Sequence, residues 1–110
     1  MLDARLFLLQ RASAVLMAPL VLIHLAVIIL AVRGGLDAAE ILSRTRGSWL
    51  WATFYSLFVI AASVHAAIGL RVIGFETFGG SKRALDAVTI IIAVLFALLG
   101  FRAVFAVVAS

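Results

Sequence analysis

Between Ala12 and Val32 the chain reads ASAVLMAPLVLIHLAVIILAV, 21 residues without a charge. At about 1.5 Å of rise per residue such a stretch covers roughly 30 Å, the hydrocarbon thickness of a bilayer, so it is long enough for one spanning helix. Pro19 lies inside it. In lipid a helical proline is tolerated when neighbouring groups satisfy the freed carbonyl, which predicts a modest kink and no break. The run is longer than the apolar core of a signal peptide and ends at Arg33 without a small-residue cleavage pattern, so a retained helix is expected.

Two further apolar runs follow the same logic. Gly47 to Leu70 is uncharged and opens with Trp49, Trp51 and Tyr55, the residue types that gather at a membrane interface. Ala87 to Phe101 is the third, and its 15 residues rise only about 22 Å, short of the hydrocarbon thickness. Asp86 or Arg102 must then lie near an interface or face protein, and because arginine can snorkel the helix is extended to about Val108. The expectation is an all-α membrane protein with three transmembrane helices in an up-down bundle, at about 12–32, 49–72 and 85–108, forming one transmembrane domain over 1–110.

The polar interruptions supply the loops. Arg33 to Ser48 is the first, and Asp37 followed by Glu40 looks like a capping-box start for one or two turns of interfacial helix, with Ile41 and Leu42 free to face lipid. Gly74 to Arg83 reads as the second. Composition agrees: 66% of residues are hydrophobic and 13% charged, with a mean hydropathy of +1.29, more apolar surface than a water-soluble domain of this size can bury. The pI of about 11.2 would suggest nucleic acid in a soluble protein. Here the nine Lys and Arg sit at the ends of apolar runs, a topology signal and no nucleic-acid stripe. Five basic residues on one side against four on the other set no orientation. With no cysteine, an iron-sulfur cluster held by thiolates would have to sit in a partner.

Ionisable groups inside a bilayer are costly, which singles out His24 in the first helix and His65 in the second. A neutral imidazole at that depth suits an axial position on haem iron, a proton relay, or a hydrogen bond between helices. Around His65, Ala61, Ala62, Ala66 and Gly69 leave room for a porphyrin or for a closely packed helix. At 100° per residue Phe58, His65 and Val72 share one face. His24 shares its face with Ser13, Met17 and Leu20 and lacks such small neighbours. Counted from Arg11 and Arg71, His24 lies about 20 Å deep and His65 about 9 Å, too different to clamp one iron within a single chain. Arg11, Arg71, Lys82 and Arg83 gather at the end nearer His65, available to haem propionates, to an acidic partner or to plain interfacial anchoring.

His65-Ala66-Ala67-Ile68-Gly69-Leu70-Arg71, with Glu76 eleven positions after the histidine, resembles the second-helix signature of the cytochrome b anchor subunits of succinate dehydrogenase and fumarate reductase. Leu9-Gln10-Arg11-Ala12-Ser13 resembles that family's entry into helix one. The resemblance implies His65 as an axial ligand of haem b shared with a second membrane-anchor subunit, and an N-terminus facing iron-sulfur and flavoprotein subunits at the inner (cytoplasmic) membrane. It implies Arg11 and Ser13 near the pocket for ubiquinone or menaquinone, with Arg11 and Arg71 near the haem propionates. His24 resembles the first-helix ligands of the two-haem versions. Members often carry histidine where Gln10 stands and serine where Phe7 stands. Succinate or fumarate chemistry would lie in other chains. The rival readings are a haem-free structural anchor and a small proton or solute transporter using both histidines.

Overall fold

The computed structural model describes residues 3–109. Four helices appear in order: α1 (Ala4–Arg33), α2 (Ala38–Thr45), α3 (Trp49–Phe78) and α4 (Lys82–Val108). Each begins where a short polar side chain takes over a backbone N–H that the first turn leaves without a partner. Asp3 accepts from Leu6 N–H at 2.9 Å, Asp37 from Ala39 at 3.0 Å, Ser48 from Trp51 at 3.2 Å and Ser81 from Ala84 at 3.1 Å. The bond from Leu6 also holds the exposed Asp3 carboxyl below its ordinary 3.8.

Three of the four are long and apolar enough to cross a membrane, and the protein is a multi-pass membrane protein. The expected helices fell short mainly at one end each, while the second begins at Trp49 and the third ends at Val108 as expected. α1 starts eight residues before the uncharged run, taking in Arg5 and Arg11. α3 continues through Arg71 and Glu76 to Phe78, so most of the expected second loop is helical and only Gly79 to Ser81 turn the chain. The physical reason is that charge ends a hydrocarbon span but not a helix, whose backbone hydrogen bonds continue through the headgroup layer. The molecule's long axis is 48 Å, against about 40–45 Å for a bilayer with its headgroups. α1 runs unbroken through Pro19.

α3 is the central element, with α1 and α4 both packed on it. Its buried residues, Ala61, Ser63, Ala67, Ile68 and Arg71, are small or polar apart from Ile68, while α4 contributes none and α1 only Ser13 and Leu20. Most large aliphatic side chains of α1 and α4 point outward, as expected where lipid tails are no less apolar than leucine and helices associate by close packing. α3 and α4 approach closely at Gly100, where a Cβ would stand 2.6 Å from a methyl of Val59. Gly100→Ala should therefore cost about 1–3 kcal/mol through overpacking, read as a lower melting temperature of the detergent-solubilised protein. Val59→Ala added to it should restore much of the loss, and an unchanged melting temperature in the single variant would show a looser seam.

α2 forms where the sequence expected it, with Asp37 as its cap, but its apolar side does not simply face lipid. Thr45 Oγ1 donates to Val107 O at 2.6 Å and Gly47 N–H to Val108 O at 2.7 Å. These bonds satisfy carbonyls that the end of α4 would otherwise leave bare. Gly47 has φ +71, a left-handed conformation that glycine adopts without strain. Glu40 pairs with Arg44 at 3.9 Å on the exposed side, a contact of little energetic weight.

Candidate functional site

α1 runs antiparallel to α3, and where Ser13 meets His65 the two helices share a hydrogen bond of 3.2 Å between Ser13 Oγ and His65 Nδ1. Ser13 is buried, and its hydroxyl also donates to Gln10 O one turn back at 2.9 Å. A serine has one proton to give. With that proton directed at Gln10 O, Ser13 must accept from His65, which assigns the imidazole hydrogen to Nδ1 and leaves a lone pair on Nε2. No described side chain hydrogen-bonds Nε2. This is the arrangement of a histidine oriented for a metal: one ring nitrogen tied to the protein, the other free. His65 is only half-buried.

Gly69, one turn further along α3, leaves space for the Gln10 side chain, whose amide nitrogen lies 3.5 Å from where a Cβ would stand. Gln10 Oε1 is buried there without a partner. Of the small residues around His65, Gly69 therefore serves packing against α1, while Ala62 and Ala66 open onto a cavity on α3 that His65 does not line.

That cavity, about 540 Å³, lies between α1 and α4 over α3 and holds His24 in its wall. The His24 ring makes edge contacts to Phe58 at 5.2 Å and Tyr55 at 5.8 Å, a favourable aromatic geometry. Its Nδ1 is buried without a hydrogen-bond partner. The two histidines are thus in different surroundings. His65 is level with Ser13, eleven positions before His24 on α1, or about 16 Å along the helix axis. One iron cannot be held between them, as the depth count from sequence expected.

Arg71 takes an inward course. Its guanidinium lies 2.7 Å from Asp86 with its side chain 3% exposed, and Nη1 also donates to Thr89 Oγ1 at 3.4 Å. Nε is left without a partner. The cation that charge pattern offered to an outside anion is balanced within the chain. Arg11 remains exposed, its guanidinium 5.6 Å from the centre of the Phe7 ring. Among the described residues no group of three or more His, Cys, Asp or Glu side chains could hold a bare metal ion.

Sequence reading singled out both histidines, Ser13 and the arginines, and the structure joins Ser13 to His65. It missed the Arg71–Asp86 pair, Gln10 as a buried neighbour, and Thr45. The first had a visible signal: opposite charges at the inner ends of two apolar runs joined by a Gly-Gly turn. Thr45 had none.

Residues 1–104 match the family model described as the succinate dehydrogenase/fumarate reductase transmembrane subunit. No curated protein and no solved structure gives a match.

Proposed function

The chain belongs to the succinate dehydrogenase/fumarate reductase transmembrane-subunit family, and on that premise we propose that it binds haem b through His65 and helps to shape a quinone site in the membrane. The observation that carries this reading is the Ser13–His65 hydrogen bond, which fixes the imidazole with its Nε2 lone pair free. The donor set fits a haem. Within this chain His65 would hold the iron, with a second histidine contributed by a second membrane-anchor subunit. The haem would supply one-electron storage between iron-sulfur clusters of a partner subunit and a membrane quinone.

This chain's own residues hold and orient. Ser13 sets the tautomer of His65. Arg11, two residues from Ser13 and exposed, offers a cation to a propionate or a quinone oxygen. Arg71 is neutralised by Asp86 and holds α3 to α4, so its contribution to a propionate would be indirect. Ubiquinone and menaquinone both suit the reading, and the dicarboxylate chemistry belongs to flavoprotein and iron-sulfur subunits bound at the N-terminal end, at the inner (cytoplasmic) membrane.

The test is a dithionite-reduced minus oxidised visible spectrum of the detergent-purified complex, with haem counted by pyridine haemochrome. A b-type α-band at one haem per pair of anchor chains is expected. Two haems would make His24 a ligand as well, and no band would leave a haem-free anchor.

A further inference from the structure

We draw no further inference here: the strongest candidate, the apolar groove between α1 and α4 over α3, carries the Tyr55 and Ser63 hydroxyls in its wall beside the His24 imidazole and so selects no single occupant, and nothing in the structure shows what covers it.

Discussion

His65→Ala should abolish the reduced-minus-oxidised α-band of the assembled complex, and imidazole added to the solution should restore part of it by entering the space left behind. Ser13→Ala should keep the band but loosen the haem by about 10–100-fold, the usual cost of deleting a group that orients a metal-binding histidine. Ser13→Thr, which retains an acceptor oxygen, should lie close to the parent. The graded series matters because a histidine that only joins α1 to α3 would behave differently. Interhelical hydrogen bonds in membrane proteins are worth about 0.6 kcal/mol on average, so both alanine variants would then leave the spectrum unchanged and lower stability slightly. The spectrum therefore separates the two roles of the 3.2 Å contact.

Why the two histidines were equally visible in sequence, yet differ in structure, lies in what each ring nitrogen meets. Hydropathy places both inside spans, and periodicity puts His24 on a face with Ser13 and Leu20, the two residues of α1 that the fold buries. Periodicity carries no information about which serine lies opposite which histidine. That needs the antiparallel register of α1 and α3, set by packing at positions such as Gly69 against Gln10. The spans themselves were legible because a 20-residue uncharged run has few alternatives. Their ends were not, because Arg11, Arg71 and Glu76 mark the edge of the hydrocarbon while Asp3, Ser48 and Ser81 mark the start of the helices. Asp86 is the instructive case. The short third run requires it to lie at an interface or face protein, and it faces Arg71; only the fold names the partner.

The pairing of Arg71 with Asp86 should give unequal costs for its two halves. The arginine side chain is 3% exposed and the aspartate 46%. Asp86→Leu leaves a buried guanidinium whose Nε already lacks a partner, with Thr89 as its one remaining hydrogen-bond acceptor. An uncompensated buried charge of this kind costs about 3–5 kcal/mol. Arg71→Met leaves instead a half-exposed carboxylate able to turn to water or headgroups, and should cost about 1 kcal/mol beyond lost packing. Joining both changes, Arg71→Met with Asp86→Leu, should recover most of the loss, since a well-packed apolar pair can match a buried ion pair. Thermal unfolding of the four proteins in one detergent closes the cycle. If Arg71→Met proves as damaging as Asp86→Leu and the double variant is worse than either, the guanidinium is doing something beyond balancing Asp86. The same proteins should then be assayed for haem retention, because a propionate would be the natural second partner of its free Nε.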